Sequence, residues 1–141
     1  MILLDTNVVS ELMRPTPAPE VLQWIAAQPL EQLHIASLTV AEIRRGLALL
    51  PTGARRRKLE AAFDRFLEQG FNRRVLPFSQ SSAAVYAPIY AQRMQAGLGI
   101  GELDLLLAAI AAEHRAWVAT RNISDFDQTG VKIINPWTAS I

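Results

Sequence analysis

The stretch Ile2-Leu3-Leu4-Asp5-Thr6-Asn7-Val8-Val9 sets three aliphatic residues ahead of a carboxylate and two polar residues, after which apolar residues return. Three consecutive aliphatics suit a short buried strand over 2–4. A short helix predicted over 6–13 follows at once, and the prolines at 15, 17 and 19 end it. Working outward, the same alternation recurs. Apolar spacing predicts helices over 20–27, 40–50, 55–69, 79–96 and 102–114, with a turn over 97–101. Short strand candidates fall at 33–37, 75–78, 117–120 and 132–134. The expected fold is α/β: one domain over 1–141, with a short parallel sheet flanked by helices on both faces. In that class, sites form beyond the carboxyl ends of the strands.

Composition narrows the chemistry. The 141 residues carry 14 basic and 13 acidic side chains, a net charge of +1, and no cysteine. Length excludes a tandem architecture, and an apolar fraction of 50% excludes a disordered chain. Disulfides, thiolate metal sites and cysteine nucleophiles are absent, and only His34 and His114 offer an imidazole. A serine hydrolase is disfavoured by the lack of a nucleophile elbow. The longest apolar run, 105–112, is far short of the roughly 18 residues a membrane helix needs. With no basic region ahead of Asp5, the chain reads as mature and cytoplasmic, without membrane contact.

Four acids stand at helix starts or just after strands. Asp5 follows the first strand, Glu42 is expected in the first turn of its helix, Asp104 in the first turn of the helix over 102–114, and Asp125 after the fourth strand. Each has an ordinary role available, because acids favour helix starts, and Thr39 and Glu42 fit a capping box. Convergence would change the meaning. Carboxylates about 5 Å apart repel by roughly 3 kcal/mol at an effective dielectric near 20, against about 1 kcal/mol from capping. A converging cluster would need a proton or a hard cation such as Mg²⁺ or Mn²⁺.

The whole chain resembles the PIN-domain ribonucleases of the VapC type, close to their FitB-like branch. The likeness is carried in order by Leu3-Leu-Asp5-Thr-Asn7, Thr39-Val-Ala-Glu42-Ile-Arg-Arg-Gly46, Asp104-Leu-Leu-Leu-Ala-Ala-Ile-Ala, Ala119-Thr-Arg-Asn122-Ile-Ser-Asp125-Phe and Ile134-Asn-Pro-Trp137. The resemblance implies a Mg²⁺- or Mn²⁺-dependent endoribonuclease, the toxin of a type II toxin-antitoxin pair. It implies a VapB-like or FitA-like antitoxin, a homodimer, and DNA contact only through the antitoxin. By position, Asp5 and Asp104 match the family's metal-binding acids and Glu42 the third acid. The resemblance also implies supporting roles for Thr6, Asn7, Thr120 and Asn122. At the fourth acidic position Asn122 stands where relatives can have Asp, and Asp125 comes three residues later, so either residue completes the site.

Residues 44–74 hold nine basic residues against three acids. Arg55, Arg56, Arg57 and Lys58 cluster at a helix start, where the macrodipole disfavours them, so an RNA backbone contact is a reason for the cluster. Arg44, Arg45 and Arg121 flank Glu42 and Asn122 and are further candidates for phosphate. Two alternatives remain: a catalytically silent PIN-fold module that binds RNA or antitoxin, and a phosphatase of the haloacid dehalogenase type. The phosphatase would want an acid at Asn7.

Overall fold

The computed structural model describes residues 1–99 and 101–140. Ile100, within the predicted 97–101 turn, and Ile141 lie outside the described residues. The helices are α1 (Thr6–Leu12), α2 (Pro19–Ala26), α3 (Ser37–Ala48), α4 (Ala54–Gly70), α5 (Gln80–Gln95) and α6 (Glu102–Glu113). The strands are β1 (Ile2–Leu4), β2 (Leu33–Ala36), β3 (Val75–Leu76), β4 (Trp117–Ala119) and β5 (Ile133–Ile134), with short 3₁₀ turns at Leu30–Gln32 and Ile123–Phe126. All pairings are parallel and the order is β3-β2-β1-β4-β5. Chain order reverses between β1 and β4, which opens a crevice at their carboxyl ends.

The aliphatic triplet explains the layering. Leu4 points to one face with Val8, Val9, Val21, Trp24, Leu33, Ile35 and Phe63, so α1, α2 and α4 cover that side. Leu3 points to the other with Ala36, Leu107, Ala108, Ile110, Ala111 and Val118, so α6 covers it and α5 packs on α6 through Ile89, Leu105 and Ala109. Burying each of Leu3 and Leu4 completely contributes about 1.5–3 kcal/mol. The buried alanines of α6 let that helix lie close to the sheet, placing its amino end over the carboxyl edge. A capping box of Ser79 and Ser82 starts α5, and both hydroxyls also donate to the Glu113 carboxylate, joining α5 to α6.

Two expectations are corrected. Helix α3 begins at Ser37, directly after β2, so Glu42 lies in its second turn rather than its first. The Thr39–Glu42 capping box does not form: Ala36 is the cap residue, Thr39 is buried inside the helix, and Glu42 bonds elsewhere. Among the described residues, no helix is long and apolar enough to cross a membrane.

Candidate active site

Asp5 is fixed first by the sheet and then by its own side chain. Its N–H donates to the Ala119 carbonyl at 2.9 Å, carrying the β1–β4 pairing one residue past the strand. Its Oδ1 accepts from the Thr6 N–H at 2.7 Å, which caps α1, so the ordinary capping role and the position at the sheet edge coincide. Oδ2 accepts from the Thr120 hydroxyl at 2.8 Å and from Asn7 Nδ2 at 3.2 Å. Thr120, fully buried after β4, accepts in turn from the Asn122 N–H at 3.0 Å. Asn7 Oδ1 accepts from the Arg121 N–H at 3.1 Å. The two strands that flank the crevice are thus tied across it by side chains.

Glu42 joins through Thr6, whose hydroxyl donates to its carboxylate at 2.8 Å. Asp104 projects from the first turn of α6, where acids suit the dipole. A Cβ on Gly101 would stand 2.7 Å from Asp104 Oδ2, so the absence of a side chain there leaves room for the carboxylate. Asp125 lies in the 3₁₀ turn after β4, and Asn122 is the residue that leads into that turn.

The acids act on one another. Burial and then the charges of Asp5, Asp125 and Glu42 push the Asp104 carboxyl up to about 6, with the Arg93 charge opposing them. Burial also raises Asp5 above its ordinary value, adding to the charges of Glu42 and Asp125, while the bonds from Thr120 and Thr6 pull it back. Asp5, Glu42 and Asp125 thus lie near enough to Asp104 for their charges to act on it. They do not form a closed cage: among the described residues, no three acidic or imidazole groups stand close enough to chelate one ion as they lie. Donors already engage both oxygens of Asp5, and Thr6 draws Glu42 towards α1. An all-oxygen set of mutually repelling carboxylates still fits Mg²⁺ or Mn²⁺, because such ions take one or two carboxylates and complete their shell with water or phosphate.

The basic residues divide. Arg44 pairs with Asp64 at 2.9 Å and lies over the Phe63 ring, bracing α3 against α4. Arg45 lines an open groove with Thr6, Ser10, Met13, Glu42 and Leu59, so this groove leads from Glu42 to the first turns of α4. There Arg55, Arg57 and Lys58 are exposed, while Arg56 pairs with Glu60 at 2.9 Å. Arg121 stacks on Trp137 with 4.9 Å to the ring centre. Sequence reasoning missed Arg93, buried in the last turn of α5, because an arginine between Gln92 and Met94 carries no local sign of burial.

Comparison with known proteins agrees with this architecture. The PIN domain profile matches residues 2–132. The chain is 44% identical over 137 residues to "VapC ribonuclease Y4jK" of Sinorhizobium fredii, covering 97% of this chain and 98% of the relative. It is 39% identical over 137 residues to "Toxin FitB" of Neisseria gonorrhoeae, covering 97% and 99%. Among solved structures, "Structure of FitAB bound to IR36 DNA fragment" superposes with a TM-score of 0.92 at 38% identity, covering 100% of this chain and 99% of that one.

Proposed function

The chain belongs to the PIN-domain family, and on that footing we propose that it is an endoribonuclease, the toxin of a toxin-antitoxin pair. One observation carries the reading: at the switch point of the sheet Asp5 is held by Thr6, Asn7 and Thr120, and its charge, with those of Asp125 and Glu42, adds to burial in pushing Asp104 up to about 6. A fold selected for stability alone would not gather acids whose charges oppose one another.

Asp5 and Asp104 would hold the divalent ion, with Glu42 as the third acid. Mg²⁺ is the natural choice and Mn²⁺ a substitute, because the donors are all oxygen. When bound, the ion supplies an activated water at neutral pH and offsets charge on the scissile phosphate. The protein's own groups set the geometry. Thr6, Asn7 and Thr120 fix the Asp5 carboxylate through three hydrogen bonds, which leave about one of its four acceptor sites for an ion. Thr6 also orients Glu42, which lies beside the groove. Asp125 adds negative charge at the far side, and Asn122 contributes a neutral amide that can hold water or substrate. No histidine base is required. Arg45, Arg55, Arg57 and Lys58 line the approach for the RNA backbone; Arg44, Arg56 and Arg121 add positive charge while serving structural contacts.

The relatives' names further support a FitA-like or VapB-like antitoxin as partner; the proposal also takes in DNA contact only through that antitoxin, a homodimer and a cytoplasmic location. The test is expression of the chain alone and with Asp5→Asn. Growth arrest with new RNA ends in total RNA is expected for the parent and neither for the variant. Harmless expression of folded parent protein, or identical ends from the variant, would overturn the proposal.

A further inference from the structure

Arg93 is a charged side chain that none of the roles above uses. It is 5% exposed, in the last turn of α5, on the far side of α6 from the sheet. Among the described residues no carboxylate bonds it, and its Nε has no partner. A buried guanidinium without a bonded acid is costly. What it does bond is informative. Nη1 donates to the Asp127 carbonyl at 2.9 Å and reaches the Ser124 carbonyl at 3.4 Å, on either side of Asp125. Nη2 donates to the Gly99 carbonyl, in the segment that leads into α6 and Asp104. One planar fork therefore joins the two chain segments that carry Asp104 and Asp125, the two crevice acids that accept no side-chain hydrogen bond among the described residues.

We propose that Arg93 is a positioning residue that clasps the Asp104 and Asp125 segments together from behind, setting the open wall of the crevice for the divalent ion. This rests on the nuclease reading for the ion and on the hydrogen bonds alone for the clasp. The planar guanidinium suits the task because three carbonyls from two segments need several donors in fixed directions, which a lysine ammonium does not provide. Its charge, felt at Asp104 across the same gap, also offsets the repulsion among the acids.

The experiment compares the full-length parent with Arg93→Met and Arg93→Lys. Hydrogen exchange on metal-free protein is expected to speed up at 101–105 and 123–128 in Arg93→Met, with 3–12 and 37–48 unchanged. Calorimetric titration with Mn²⁺ alone should show affinity weakened about tenfold or more, as for other groups that orient metal ligands. RNA cleavage should lose kcat with KM unchanged. Arg93→Lys should fall between, and it carries the test if the Met variant does not fold. Unchanged exchange at both segments, or Mn²⁺ affinity within about twofold of the parent in a folded variant, would overturn the clasp. Failure of the parent itself to bind Mn²⁺ or cleave RNA would sink the nuclease reading and the clasp's part in ion binding, while the exchange comparison still decides the clasp itself.

Discussion

On one wall of the crevice Asp5 accepts three hydrogen bonds and Glu42 one, all from residues anchored by β1, α1 and β4. On the other wall Asp104 and Asp125 accept none from side chains among the described residues; their chain segments are held instead by helix packing and by the carbonyl bonds of Arg93. The donors around Asp5 favour its ionised form and oppose the effect of burial. Asp104 lacks that relief, so burial and neighbouring charge carry it to about 6. On the proposed nuclease reading the locked wall is preorganised for an ion, and at the open wall a proton on Asp104 would compete with it.

The contrast is broken most severely by Asp5→Asn. Losing a carboxylate from the preorganised wall should reduce RNA cleavage by on the order of a thousandfold, as expected when several kcal/mol of transition-state stabilisation is lost. The same substitution removes a charge that raises Asp104, so the Asp104 carboxyl should titrate lower by carbon NMR. Next comes Thr120→Val, which keeps shape but deletes a buried hydroxyl that donates to Asp5 and accepts from Asn7 and Asn122. About 1–3 kcal/mol of stability should be lost in denaturant unfolding, together with activity.

Gly101→Ala probes the open wall. The new methyl would meet the flexible end of Asp104 at 2.7 Å, and the glycine φ of −84° accommodates alanine. Melting should therefore change little, while cleavage falls several-fold because the carboxylate has been turned aside. A substitution that lowered both equally would show that the open wall is as rigid as the locked one.

The smallest effect is a pH dependence. The folded protein binds a proton at Asp104 near pH 6, whereas the unfolded chain does so near the ordinary 3.8. Between those values the folded state holds more protons, so this group makes the metal-free protein more stable as pH falls through about 6. The advantage is lost as pH rises through the same region. Thermal melting of parent and Asp104→Asn across that window checks the sign, and the variant should lack this rise.

The alternation of short aliphatic runs with amphipathic helices made the parallel sheet and its covered faces legible. Asp5 was equally legible, since a carboxylate immediately after a buried strand has only the carboxyl edge to occupy. The start of α3 was not, because β-branched Thr39 and Val40 lower helix propensity and obscure a helix that begins at Ser37. Thr120 as a three-way hub and Arg93 as a buried fork depend on partners more than 25 residues away or on another segment's carbonyls, which no local pattern encodes. The four acids could be placed at one edge by topology, yet their incomplete closure on a single point depends on which neighbours claim their oxygens.

The most direct measurement is cleavage of a structured RNA by purified protein in Mg²⁺, in Mn²⁺ and in excess chelator, with Asp104→Asn alongside. The account predicts cuts bearing 5′-phosphates in either ion, none in chelator, and none from the variant. Undiminished cleavage in chelator, or by folded Asp104→Asn, would contradict it.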